Sequence, residues 1–137
     1  MPSGQDLTDA DYRKLLDFRD GLRRFLRWSE EQARAVGLTP AQHQLLLAIR
    51  GHDDPLGPTI GDVASHLMLR HHSAVELIDR AQGAGLVERE LDPHDHRAVR
   101  LRLTRDGSAR LAALTTQHLD ELRRLEPRLR PIWSGLD

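Results

Sequence analysis

The residues best suited to chemistry fall in two stretches. Arg70, His71, His72, Ser73, Glu76 and Arg80 form one, and Asp95, His96 and Arg97, inside DPHDHR, form the other. On a helix, three- and four-residue spacing brings His72, Ser73, Glu76 and Asp79 or Arg80 to the exposed side. Such side chains recognise a polar, repeating partner: histidine donates to a phosphate or a guanine acceptor, serine meets phosphate or base edges, and glutamate accepts from a cytosine amino group. Arg80 either binds phosphate or, with Asp79, ties its helix to the second stretch. Bond-making chemistry has no comparable foothold. There is no glycine-rich phosphate loop, no nucleophile elbow and no carboxylate pair placed for acid-base work. Asp53 and Asp54 sit in a turn-rich loop, where solvation explains them.

The chain has no cysteine, which excludes disulfides, thiolate zinc sites and cysteine nucleophiles. Eight histidines raise the question of a metal. His71 and His72, as helix neighbours, point about 100° apart, and His94 and His96 offer no closed ligand set. The expectation is a non-enzyme without metal or cofactor.

These side chains must be positioned, and the surrounding pattern says how. From Leu7, apolar residues at Tyr12, Leu15, Leu16, Leu22, Phe25, Leu26 and Ala33 mark a long amphipathic helix capped by Thr8 or Asp9 and ended by Gly37, with Gly21 a weak point inside it. In LTPAQHQLLLAIR, Thr39 and Gln42 form a capping box around Pro40, which starts a second helix. Gly51–Pro58 cannot continue it. Thr59 caps a short helix with Ile60, Val63, Ala64 and Leu67 on one face. A second helix, carrying Val75, Leu77, Ile78 and Ala81 inward, comes directly after it and stops at Gly83 and Gly85. The pair reads as a helix-turn-helix.

The period then changes to two: LVEREL and AVRLRLT flank a polar tip, with Arg100 and Arg102 on the outward, solvated face. Thr104 caps a last helix whose Leu111, Leu114, His118, Leu122 and Leu125 form a seam until Pro127 breaks it. The fold class is mainly α with a small two- or three-stranded β-wing, a winged helix-turn-helix between long terminal helices. The second helix of the pair suits a major groove and the ribbon tip an adjacent one. The terminal stripes are wide for so short a chain to cover, so they pack against a second copy or against each other.

A chain of 137 residues suits one domain. Its net charge of −1 does not announce a nucleic-acid binder, so local placement must carry that reading. No apolar run approaches a membrane span, and the start MPSGQDLTDAD lacks a signal-peptide core; the expectation is a cytoplasmic protein without a membrane partner.

LTPAQHQLLLAI, the helix pair and GLVERELDPHDHRAVRLRLTRDG resemble the MarR family of bacterial regulators, from about Leu7 to Leu125. The most specific parts are AGLVER and DPxDxR followed by an alternating strand and LTxxG. The resemblance implies one domain over 1–137, with dimerisation helices at 7–37 and 105–136 around a winged helix-turn-helix DNA-binding module at 39–104. It implies a homodimeric repressor on a pseudo-palindromic operator in double-stranded DNA, released by a small amphipathic or phenolic ligand. Trp28, His43, Leu46 and Arg50 are the candidate ligand-lining residues. Ile132, Trp133 and Leu136 would extend the dimer surface. Arg97 stands at the family's minor-groove arginine, with Asp95 orienting it by a salt bridge, and His96 occupies a commonly basic position. His71, His72 and Glu76 depart from the family's small hydroxylated and basic residues, which leaves the operator open. Two other readings stand beside this one: a zinc-responsive regulator, and a winged-helix interaction module without DNA binding.

Overall fold

Local capping decides where most of the helices begin. In a computed structural model describing residues 6–134, α1 (Asp9–Ala35) starts at a reciprocal box: the Asp11 amide donates to Thr8 Oγ1 at 3.3 Å and the Thr8 amide to Asp11 Oδ2 at 2.8 Å. Leu136, expected on the dimer surface, lies outside the described residues. Boxes of the same form start α2 (Pro40–Gly51), through Thr39 and Gln42, and α3 (Ile60–Leu67), through Thr59 and Asp62. α4 (His71–Gly83) differs: its N-cap is Arg70, and no side chain caps it.

The wing comes next in the chain. β1 (Val87–Leu91) pairs antiparallel with β2 (Val99–Leu103), Val87 opposite Leu103 and Leu91 opposite Val99. A third strand is reduced to a single bridge, Thr59 to Arg100. There the Leu101 amide donates to Pro58 O at 2.9 Å, and the chain approaches so closely that a Cβ on Gly57 would lie 2.3 Å from Leu101 O. Gly57, at φ +83°, is required on both counts.

α5 (Arg105–Trp133) starts at Thr104, whose Oγ1 accepts from the Gly107 amide at 3.0 Å. It continues through Pro127 and Pro131. The expected break at Pro127 therefore does not occur. Proline forfeits one intrahelical hydrogen bond, but this stretch is exposed, where water serves the orphaned carbonyl. The residues beyond it are also held on α1. Leu129 lies against Gly21, Trp133 meets Phe18 edge to face at 6.0 Å, and Lys14 Nζ donates to Ser134 O at 3.4 Å.

The core lies almost wholly inside the winged module. Leu38, Leu45, Leu46, Ile49, Val63, Ile78, Ala81, Leu86, Val87 and Leu101 are buried there, closed over by Leu111 and Leu114 from the start of α5. Along α4 the fully buried positions are Ala74, Ile78 and Ala81, while Val75 and Leu77 are half-buried. α1 buries only Ser29 and Ala33, and α5 nothing past Leu114. The two long helices touch each other yet leave Leu15, Leu16, Leu26, Leu119, Leu122 and Trp133 exposed.

Candidate nucleic-acid interface

α4 rests on α3 and α2 through its buried face, which leaves His71, His72, Glu76 and Arg80 exposed and Ser73 half-buried on the other side. Arg70, at the N-cap, is exposed as well. Among the described residues, no hydrogen bond or ion pair engages the side chains of Arg70, His71, His72, Ser73, Glu76 or Arg80. The first amides of α4 likewise lack a side-chain cap. This end thus presents free donors together with the positive end of the helix dipole.

Arg80 does not tie the helix to the wing. That contact belongs to Arg89 on β1, which donates to Asp79 Oδ1 at 2.6 Å and also bonds Gln82. Arg89 points toward α4 from the strand and reaches the carboxylate that Arg80, one residue along the helix, turns away from.

The wing tip is built around Asp92, which is 4% exposed. Its Oδ1 accepts from the amides of His94 at 2.7 Å and Asp95 at 3.0 Å, and its Oδ2 accepts from Arg100 Nε at 2.8 Å. The His94 amide first, then the Arg100 guanidinium, hold the Asp92 carboxyl below its ordinary value. Arg100 also reaches Asp54 Oδ2 at 3.4 Å and Gly57 O at 3.1 Å, so one side chain joins wing, tip and the loop after α2. This differs from the solvation that the sequence predicts for both Arg100 and Asp54. Alternation does turn Arg100 away from the core, but the 52–58 loop covers that face of the strand, and the side chain is only 18% exposed. Arg102 does lie exposed, paired with Glu90 at 3.0 Å.

Asp95 orients the tip without the expected salt bridge. Its Oδ1 accepts from the Arg97 backbone amide at 3.0 Å, and its own carbonyl accepts from the Ala98 amide. A carboxylate two residues upstream closes a tight turn more readily than it reaches along its neighbour's side chain. The Arg97 guanidinium is consequently exposed and unpaired among the described residues, as are the rings of His94 and His96.

The four expected ligand-lining residues do not converge. Trp28 and His43 do come together, around His118 of α5, with ring centroids 4.8 and 4.9 Å from it. Leu46 is sealed in the core, and Arg50 is exposed on another side, beside Leu103 and Ser108. His118 is the member that sequence reasoning placed only in an apolar seam. Its Nδ1 donates to Leu114 O at 2.7 Å, since a carbonyl can only accept, and Nε2 shares a 2.7 Å hydrogen bond with Ser29 Oγ. His43 is 3% exposed; burial first, then the neighbouring His118, lowers its pKa. Sequence reasoning also missed a second histidine pair, His52 Nδ1 to His66 Nε2 at 3.1 Å, which links the end of α2 to α3. Among the described residues no group of three or more histidines or carboxylates is placed to hold a metal ion, and no helix is long and apolar enough to cross a membrane.

The MarR family model matches residues 36–98. The uncharacterized HTH-type transcriptional regulator YsmB of Bacillus subtilis (strain 168) is 37% identical over 121 residues, covering 85% of this chain and 81% of that protein. Among solved structures, the MarR family transcription regulator SP03579 superposes with a TM-score of 0.74 at 24% identity, covering 87% of this chain and 77% of that one. A MepR variant of S. aureus bound to an oligodeoxyribonucleotide superposes with a TM-score of 0.67 at 21% identity, covering 96% of this chain and 100% of that one.

Proposed function

Because this chain belongs to the MarR family of winged helix-turn-helix transcription regulators, we propose that it acts as a homodimeric repressor. In this reading each α4 enters a major groove of a pseudo-palindromic operator, and each wing places Arg97 in the adjacent minor groove. The observation that carries it is the division of labour among the arginines. Arg89 and Arg100 are spent on internal carboxylates, whereas Arg70, Arg80 and Arg97 are exposed with no side-chain partner among the described residues. Within the helix-turn-helix and wing, the exposed face of α4 and the loop tip therefore keep three cations available to an outside partner, while Arg89 and Arg100 hold the frame. Arg97 suits a narrow A/T-rich minor groove, whose negative potential attracts such a side chain. His71, His72, Ser73 and Glu76 are left to meet bases and phosphates, with Glu76 choosing a base and adding nothing to phosphate attraction.

The apolar faces of α1 and α5 supply the dimer surface, because folding of one chain leaves them uncovered. A small amphipathic ligand fits best beside Trp28, His43 and His118, where rings from α1, α2 and α5 meet. Its binding would shift the spacing of the two α4 helices away from that of successive major grooves. Footprinting on the DNA flanking the protein's own gene, with sedimentation of the free protein, tests the proposal. The expected result is a dimer protecting a pseudo-palindrome with half-sites about one helical turn apart. A monomer, or protection without two-fold symmetry, would overturn it.

A further inference from the structure

The turn between α3 and α4 holds a side chain that the fold does not use. Met68 closes α3 in the left-handed conformation, φ +55° and ψ +42°, the one non-glycine residue at positive φ among those described. Its amide donates to Ser65 O at 3.3 Å, and the Leu69 amide donates to Ala64 O at 2.9 Å, so the backbone there completes an ordinary helix stop. Glycine makes this stop without steric cost, and a residue bearing a Cβ does not. Nothing internal offsets that cost, since Met68 is 92% exposed and belongs to no core cluster. Leu69, 38% exposed, comes next, and then the free Arg70, His71 and His72 of α4. An apolar ledge thus stands at the lip of the helix end that presents the polar contacts.

We infer that Met68 reads thymine, packing its thioether chain on the C5-methyl of one thymine in each half-site. This rests on the DNA-binding reading above. The C5-methyl is the one apolar feature on the major-groove edge of a base pair, and the residues at the start of α4 are those that approach base edges. Methionine is unbranched and polarisable, so it reaches from a turn and adapts to such a contact. The exposed side chains near the start of α4, His71, His72 and Glu76, are polar and offer a methyl no apolar partner. Met68 lies on the surface that docking covers, so its exposure ends on binding.

The test uses the full-length protein on the operator located by footprinting, with each thymine replaced in turn by deoxyuridine, against wild type, Met68→Gly and Met68→Leu. One position in each half-site weakens wild-type binding about fourfold, the worth of one buried methyl, and about 15-fold when both half-sites are changed. Met68→Gly binds more weakly and is insensitive at that position, while Met68→Leu keeps the sensitivity. The slope of affinity against salt stays the same in all three proteins, because no phosphate contact changes. Thermal unfolding of Met68→Gly is no lower than that of wild type, which separates lost contact from lost fold. Wild-type indifference to every deoxyuridine, equal binding by Met68→Gly, or Met68→Gly remaining sensitive at the same thymine each overturns the inference while leaving DNA binding standing. Absence of any protected site would refute the DNA-binding reading itself.

Discussion

Replacing Arg97 by alanine removes a charge that no internal group uses, so affinity falls and the fold does not notice. Its guanidinium is unpaired among the described residues, and only its backbone amide is engaged, by Asp95. Unfolding free energy therefore changes by no more than about 0.5 kcal/mol. The effect on DNA comes from counterion release. Arg70, Arg80 and Arg97 are the free arginines of α4 and the tip, and a dimer carries each of them twice. At about 0.9 per neutralised phosphate, log affinity should fall against log salt with a slope of about −5.4, and the Arg97 variant should show a slope of about −3.6. Fluorescence anisotropy with labelled operator, from about 50 to about 200 mM salt, measures both. Arg100→Ala is the internal control. It removes the same formal charge, but one already neutralised by Asp92 and Asp54, so it lowers thermal stability and disorders the tip. An unchanged slope in the Arg97 variant refutes the reasoning, as does an Arg100 variant that flattens the slope while leaving stability intact.

Other consequences are equally specific. Asp92→Asn lowers the melting temperature at neutral pH and speeds amide exchange at His94 and Asp95. Because the folded carboxyl titrates below its ordinary 3.8, its contribution is present above that value and disappears as pH falls through the lower folded one, so wild type and variant converge in acid. Gly107→Ala in α5 destabilises by about 1–3 kcal/mol, measured by urea denaturation, despite alanine's better helix propensity. A Cβ there would lie 2.2 Å from Leu86 O, an oxygen fixed by the Thr104 amide. Stability also falls as pH drops below about 6.5, because the unfolded chain takes up a proton at His43 that the buried ring resists. His43→Gln flattens that pH profile in thermal unfolding, and an unaltered profile would refute the assignment.

What was legible in the residues was what short-range chemistry decides. The Thr39–Gln42 box, the Thr59 cap and the glycine stops of α1 and α4 are local, and the elements begin or end at them. The failures at Pro127, Arg100 and His118 share one cause, a neighbour distant in sequence, whereas the missing Asp95–Arg97 salt bridge is a local matter of the turn. Pro127 obeys a local rule that Leu129, Trp133 and Lys14 override from across the α1–α5 contact. A period of two correctly turned Arg100 away from the core, yet periodicity cannot say that the 52–58 loop would cover that face. By spacing alone His118 is one more seam residue, and only Ser29 and His43, from two other helices, give it polar and ring partners. The same distinction bears on specificity. Asp92, Arg100 and Asp95 hold one another and the tip backbone, so exchanging any of them alters the wing before it alters recognition. The start of α4 and Met68 have no such internal obligations. Their side chains can therefore vary at little cost to the fold, which is what the proposed reading requires of residues that would set the choice of DNA sequence.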